Sequence, residues 1–251
     1  MSARTSKPTK AKKASNRRCD DMKYMGSKSR HAKELLPIIL KDRKPGQWYV
    51  EPFVGGANMI DKVDGNRIGN DEHYFLIKLL KAMSEFDYWV PPYKVTEQDY
   101  KEAKLSENEV LKAYIGFCLS FGGKWFGGYR RDKVGKRDYS FEAYKNYMKQ
   151  APKLCGVVFK NCDYRDFGIP PNSIVYCDPP YEGKTKYATG GFDHVAFWQW
   201  CRDKVAEGHK VFVSEYTAPD DFRCVWEKET TANFDSSRAS ASRRTERLFC
   251  L

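Results

Sequence analysis

The stretch Ile174-Val175-Tyr176-Cys177-Asp178-Pro179-Pro180-Tyr181 constrains the fold more than any other part of this 251-residue chain. Four apolar residues in a row read as a buried strand. Two prolines directly after an aspartate end it, because proline cannot donate to a strand ladder. The last carbonyls are left outside the ladder, at a rigid corner. In α/β sheets ligands bind beyond the carboxyl ends of strands, so a carboxylate, free carbonyl oxygens and an aromatic ring at such a corner form a candidate site. The plainer alternative is a tight Pro-Pro turn with a packed tyrosine.

The rest of the chain supports an α/β layer. Short segments at 47–51, 67–70, 157–161, 173–177 and 210–214 read as strands, and 222–231 and 245–251 as two more joined by a Ser/Arg-rich loop. Helical periodicity appears at Leu35, Leu36, Ile38, Ile39 and Leu40, interrupted by Pro37 and ending near Lys41, then from Glu72 with Phe75, Leu76, Leu79, Leu80 and Met83 on one face, and at 197–207. Strands alternating with helices predict a mostly parallel sheet. Between Pro91 and Pro152 the character changes to polar helical segments around a Gly-rich basic stretch, which reads as an insertion.

Charge is unevenly placed. The net +11 is carried largely by Arg4, Lys7, Lys10, Lys12, Lys13, Arg17 and Arg18, with no acid among residues 1–18, and by a patch at 122–137. A tail and a patch of this kind suit a polyanion, or else a solubilising tail and an ordinary exposed face. Residues 1–20 lack apolar periodicity and read as a disordered tail. No apolar run approaches the roughly 18 residues of a membrane span. The basic start has no apolar segment behind it, unlike a secretory leader. Eight cysteines contain no CxxC pair, and several lie in apolar segments, so buried reduced thiols are expected. His31, His73, His194 and His209 are scattered, and no metal site is expected. A cytoplasmic setting follows from these expectations.

Two further places carry chemistry. Glu51-Pro52-Phe53-Val54-Gly55-Gly56-Ala57-Asn58 puts two glycines at a strand-to-helix turn, where a ligand can approach the backbone; most such turns are only turns. Asp71, at the end of the next strand, suits ribose hydroxyls. At Asp178–Tyr181, two acceptors and a ring match an exocyclic amine on a nucleobase.

In these motifs and their order the chain resembles the Dam-type DNA adenine-N6 methyltransferases, the D12 class with the Asp-Pro-Pro-Tyr motif, of bacteria and phages. The resemblance spans residues 22–251. Lys23-Tyr24-Met25-Gly26-Ser27-Lys28 is similar to the family's Lys-Trp-Ala-Gly-Gly-Lys, and Glu51–Gly56 to its Asp/Glu-Pro-Phe-x-Gly-Gly loop. Asn70-Asp71, Cys162-Asp163-Tyr164 and Asp178–Tyr181 match in turn. Phe121–Arg131 resembles its Gly-rich hairpin that contacts DNA. Tyr24 replaces a tryptophan and Ser27 a glycine. Ser120–Trp125 departs from the usual Asn/Arg-bearing stretch, so a GATC recognition site does not follow.

The resemblance implies a Rossmann-like S-adenosylmethionine-dependent methyltransferase sheet (21–84 and 151–251) with an inserted, mainly helical target-recognition domain (85–150) carrying a β-hairpin. It implies S-adenosylmethionine as methyl donor, in a pocket lined by Tyr24, Lys28, Glu51, Phe53, Gly55, Asp71, Asp163 and Asp178. Asp71 would take the ribose and Asp163 the cofactor's adenine. Asp178, Pro179, Pro180 and Tyr181 are the catalytic set, acting on an adenine flipped out of duplex DNA. DNA contacts are assigned to Lys124, Trp125, Arg130, Arg131, Lys133, Lys136 and Arg137. Trp125, Phe126 and Tyr129 either wedge into DNA or form the loop's own small core. Arg243, Arg244 and Arg247 are lesser candidates for phosphates. A restriction-modification pairing with a cognate endonuclease belongs to the same resemblance. An RNA adenine-N6 methyltransferase and a catalytically silent DNA-binding protein on the same fold remain as alternatives.

Overall fold

The computed structural model describes residues 21–132, 134–181, 191–231 and 243–251. The expected disordered tail, Lys133 and the Ser/Arg-rich loop at 232–242 lie outside the described residues. Seven strands form one sheet: β1 (Tyr49–Glu51), β2 (Arg67–Asn70), β3 (Val158–Lys160), β4 (Ile174–Cys177), β5 (Lys210–Glu215), β6 (Arg223–Thr231) and β7 (Arg243–Cys250). Their order is β3-β2-β1-β4-β5-β7-β6. The first five are parallel. β7 runs antiparallel to both of its neighbours.

Strand alternation decides which core each residue joins. Tyr49, Ile174, Tyr176 and Phe212 point into one apolar cluster, and Val50, Val175, Cys177, Val211 and Val213 into another on the opposite face. Both faces are covered, which is why β4 reads as an unbroken apolar run. On the second face α6 (His194–Ala206), capped by Asp193, buries Phe197, Trp198, Trp200 and Cys201.

The first face carries α1 (Ala32–Ile39), α2 (Tyr74–Ser84), α4 (Glu109–Cys118) and α5 (Tyr139–Leu154). α1 runs through Pro37, which sits in its last turn on the exposed side. α5 likewise continues past Pro152. The short α3 (Glu97–Glu102) opens with a Thr96–Asp99 capping box, in which each side chain satisfies the other's backbone N–H. Val95, Tyr100, Tyr114, Phe117 and Tyr147 from the 85–150 segment share one cluster with Tyr49 and Leu76.

The expected β-hairpin at 121–131 does not form as a ladder. A single antiparallel bridge, Ser120–Tyr129, closes a loop that opens with a 3₁₀ turn at Phe121–Gly123. The cause is local. Gly122, Gly123, Phe126 and Gly128 all have positive φ, incompatible with extended pairing. The Phe126 N–H is spent on the Gly116 carbonyl instead.

Candidate active site

The order in which the parallel strands are added reverses between β1 and β4. β1 to β3 extend one way, and β4 returns to the free side of β1, so a crevice opens at their carboxyl ends. The register Val50–Val175 sets Glu51 level with Tyr176, so Asp178 follows two residues further on, within electrostatic reach of Glu51. Asp71 follows β2, Asp163 follows β3 and Glu215 ends β5. The sheet therefore presents a row of carboxylates along one edge.

At the centre, Lys28 Nζ lies 2.9 Å from Asp178 Oδ1 and 3.6 Å from Glu246 Oε2. The Tyr181 hydroxyl donates to Glu246 Oε2 at 3.0 Å. The same ammonium sits 4.4 Å from the centroid of the Tyr181 ring, a cation–π contact. Tyr216 packs edge-on to that ring at 4.6 Å. Burial works against the Lys28 ammonium, but the Asp178 and Glu246 carboxylates outweigh it and raise its pKa. Burial raises the Asp178 pKa as well, with Lys28 opposing and Glu246 adding to the rise. One cation thus serves two carboxylates.

Glu51 is 2% exposed, and its Oε1 has no hydrogen-bond partner among the described residues. Burial pushes its carboxyl well above the usual range. Asp71 accepts the N–H groups of Gly55 (3.2 Å) and His73 (2.9 Å), tying the Gly-Gly loop to the start of α2. Burial lifts its pKa to about 6 against those two bonds. Asn70 braces the same region, donating to the carbonyls of Pro52 (3.1 Å) and Cys162 (3.0 Å).

The two glycines have a structural reason. A Cβ on Gly55 would stand 2.9 Å from the Tyr24 ring, and one on Gly56 would stand 2.6 Å from Tyr24 Cβ. Gly123, from the 121–131 loop, is pressed on the same segment, where a Cβ would meet the Lys23 carbonyl oxygen at 2.5 Å. Residues 22–28 are fixed further by Asn58, which donates to Met22 O (3.0 Å) and Ser27 Oγ (2.7 Å). Tyr24 and Lys28 are positioned by this clamp.

Other expected positions are differently engaged. Phe53 packs among Tyr164, Phe192 and Phe197, with ring centroids 5.1 to 5.8 Å away. Asp163 caps a short 3₁₀ turn and pairs with its own neighbour Arg165 at 2.6 Å, which holds its carboxyl below the usual range. Pro179 is buried and Pro180 half-buried at the corner.

In the basic loop, Trp125 stacks on Phe75 at 4.8 Å and touches Phe117 and His73, so its ring belongs to the core. The exposed ring is Phe121, at 69%. Arg130 lies 3.7 Å over the Tyr139 ring and 3.5 Å from Glu142, with its side chain 10% exposed. Arg131 pairs with Glu97, and Arg137 with Glu142. Lys124 and Lys136 stand in solvent. These arginines, with Asp132 and Lys136, line a cleft of about 680 Å³.

Sequence reasoning passed over Glu246 and Phe121. Glu246 shares a strand face with fully buried Leu248, and an acid in register with a core residue was the available signal. Phe121 was hidden among more conspicuous aromatics. Among the described residues no His/Cys/Asp/Glu group has metal-site geometry, and no helix is long and apolar enough to cross a membrane. The seven described cysteines are unpaired by disulfides.

Three comparisons bear on this arrangement. A search of curated proteins returns no match. Among solved structures, the chain is similar to SMU.472, a proposed methyltransferase complexed with SAH, at 11% identity and a TM-score of 0.38. The match covers 89% of this chain and 52% of that one, so the chain spans about half the length of that protein. The family model for D12 class N6 adenine-specific DNA methyltransferases matches residues 24–237, which takes in Tyr24, Lys28, the Gly-Gly loop and the Asp178 corner. The chain belongs to the D12 class N6 adenine-specific DNA methyltransferase family.

Proposed function

We propose that this protein transfers a methyl group from S-adenosylmethionine to N6 of an adenine flipped out of duplex DNA. The observation that carries the reading is the Asp178–Tyr181 corner at the β1/β4 reversal, where a carboxylate and an aromatic ring share one small space. Family membership supports the chemistry.

The residues fit a cationic donor. The crevice sets Asp178 and Glu246 against the Lys28 ammonium, with the Glu51 carboxyl near Asp178, and the Glu51 Oε1 is an acceptor for a positively charged group. Glu51, Asp71, Gly55 and Tyr24 would hold S-adenosylmethionine, with Asp71 suited to hydroxyls. When bound, that molecule supplies an electrophilic methyl on a sulfonium. Phe53 and Asp163 border the site, with Phe53 acting through its packing.

The protein's own part is to present the amine. Asp178 and the Pro179 carbonyl accept the two N6 hydrogens, leaving the nitrogen lone pair directed away from them. The same acceptors stabilise positive charge as it develops on the amine. Tyr181 offers its ring for stacking, and Pro180 stiffens the corner. Orientation then contributes much of the acceleration. The base must leave the stack to arrive there. Exposed Lys124 and Lys136 meet phosphates, with Arg130, Arg131 and Arg137 shaping the surface between them. Residues 85–150 act as the target-recognition part. A cytoplasmic location, a Dam-like site preference and a partner endonuclease belong with this reading.

The test is incorporation of labelled methyl from S-adenosylmethionine into unmethylated duplex DNA, with RNA in parallel, followed by nucleoside analysis. N6-methyladenine in DNA supports the proposal. Product only in RNA, or DNA binding without product, overturns it.

A further inference from the structure

The Lys28 ammonium occupies the space in which the proposed chemistry needs an adenine. It pairs with Asp178 at 2.9 Å and lies 4.4 Å above the Tyr181 ring. A base stacked on Tyr181 with its amine on Asp178 and this cation cannot hold those positions together. The cation therefore needs somewhere else to go. Its side chain is only 9% exposed, so withdrawal into bulk water is not the nearest option. A carboxylate already stands at 3.6 Å: Glu246, on β7, with its own side chain 17% exposed.

We propose that Glu246 is the second seat of the Lys28 ammonium, which moves from Asp178 to Glu246 when the target adenine arrives. This rests on the reading of adenine methylation given above. Lys28 is then a stand-in for the base: it neutralises Asp178 and covers Tyr181 until the substrate displaces it. The move is short and breaks no backbone contact. Glu246 also accepts the Tyr181 hydroxyl at 3.0 Å, so the seat and the stacking ring are held by one side chain. Glu246 is a positioning residue, acting through Lys28 and Tyr181.

The arrangement suits its elements. Lys28 comes from the clamped segment beside the Gly-Gly loop, Asp178 from the end of β4 and Glu246 from β7, two strands away. Across β5, the register pairs Glu215 with Arg247, which puts Glu246 beside the end of β5 and its face toward the site.

The test compares wild type, Glu246→Gln, Lys28→Met and the double variant in single-turnover methylation of unmethylated DNA at saturating S-adenosylmethionine. Glutamine keeps an acceptor for Tyr181 but offers no charge to Lys28. Glu246→Gln is expected to slow methylation by about tenfold, within the usual range for coupled charged neighbours, with DNA affinity nearly unchanged. Lys28→Met alone is expected to slow methylation, because Asp178 loses the cation that holds it charged. Adding Glu246→Gln to it should then cost little more, because no cation needs a seat. A wild-type rate in Glu246→Gln, or a full cost of about tenfold for Glu246→Gln in the Lys28→Met background, overturns the proposal.

Stability gives a readout apart from activity. Lys28→Met leaves two carboxylates without their cation and should lower the urea midpoint, while Glu246→Gln leaves the Lys28–Asp178 pair intact and should not. If Glu246 only braced the fold, its variant would lose midpoint and rate together, and the proposal would fall. The pH profile adds a third. Asp178 is faced by Lys28, by Glu246 on β7, by Glu51 on β1, and by Tyr176 and Tyr181 on its own segment. Removing the Glu246 charge should move the acidic limb of kcat/KM to lower pH, and an unmoved limb counts against the proposal. A wild-type protein that forms no N6-methyladenine defeats the underlying reading, a result distinct from an active wild type with an indifferent Glu246→Gln.

Discussion

Lys28 Nζ and Asp178 Oδ1 stand 2.9 Å apart at the carboxyl edge of the sheet, each largely withdrawn from solvent. A buried carboxylate without this partner would bear its desolvation alone. The pairing opposes that cost and favours the charged form of Asp178 at the place where the proposed chemistry takes an amine acceptor.

Replacing Asp178 with alanine should therefore remove methyl transfer while sparing DNA binding. The expected loss in single-turnover rate is about 10²–10³-fold or more, in line with deletion of a preorganised charge-stabilising group. DNA affinity, measured by titration of labelled duplex, should stay within about tenfold because no phosphate contact is removed. Retained activity would remove Asp178 from the catalytic role.

Asp71 makes two opposite pH dependences. Its pKa in the folded protein, raised to about 6 by burial, lies above its unfolded value. The folded state then holds the proton more tightly, so stability from this group falls as pH rises from about 4 to about 6 and is level above that. Affinity for S-adenosylmethionine should move the other way, strengthening as the carboxylate forms through about pH 6. Asp71→Asn should flatten both curves, as read by urea midpoints and calorimetric titration.

Gly56→Ala should destabilise the protein in the absence of any ligand. The added methyl falls 2.6 Å from Tyr24 Cβ and cannot be accommodated without shifting the clamp. A loss of about 1–3 kcal/mol is expected, the usual cost of overpacking, and should appear as a lower urea midpoint. An unchanged midpoint with impaired cofactor binding would assign Gly56 to ligand approach instead.

The aromatic rings of the basic loop should separate into two classes. Trp125→Ala removes a ring stacked on Phe75 and should cost about 3–5 kcal/mol of stability. Phe121→Ala, at an exposed ring, should leave the midpoint within about 0.5 kcal/mol. If Phe121 stacks against DNA, methylation falls in that variant alone; equal rates to wild type would remove it from the interface.

Among the cations, Lys136→Ala should lower the slope of log affinity against log salt by about one, as for a lost phosphate contact. Arg130→Ala should show less of this effect and more loss of stability, since its guanidinium lies on Tyr139 and beside Glu142. Parallel salt titrations and urea melts decide between them.

The central sheet was legible because β1, β2, β4 and β5 are largely buried, and β1, β2 and β4 run straight into Pro52, Asp71 and Asp178. β2 and β4 fall where they are expected, and the alternation after residue 152 reads directly into β3, β4, α6 and β5. The corner at Asp178 was legible for the same reason, since its prolines mark the strand end. The 121–131 loop was not. Its glycines permit several conformations, and tertiary contacts with Lys23, Tyr24 and Phe75 select one that no local pattern announces. The pairing of Arg131 with Glu97 and of Arg137 with Glu142 likewise depends on where α3 and α5 lie. Glu246 depends on β7 lying between β5 and β6, a long-range fact.

That placement of β7 makes the sign of the site's charge hostage to a single step of alignment. Successive residues of a strand face opposite sides, so a slip by one would turn Glu246 away and offer Thr245 or Arg247 in its place. Arginine beside Lys28 would repel the cation that Glu246 attracts. The pairing with β6 extends from Arg223–Cys250 to Thr231–Arg243 and carries an irregularity between Cys224 and Trp226. The long outer hairpin thus acts as a ruler, and fidelity of charge at the sheet's edge is one thing that its length secures.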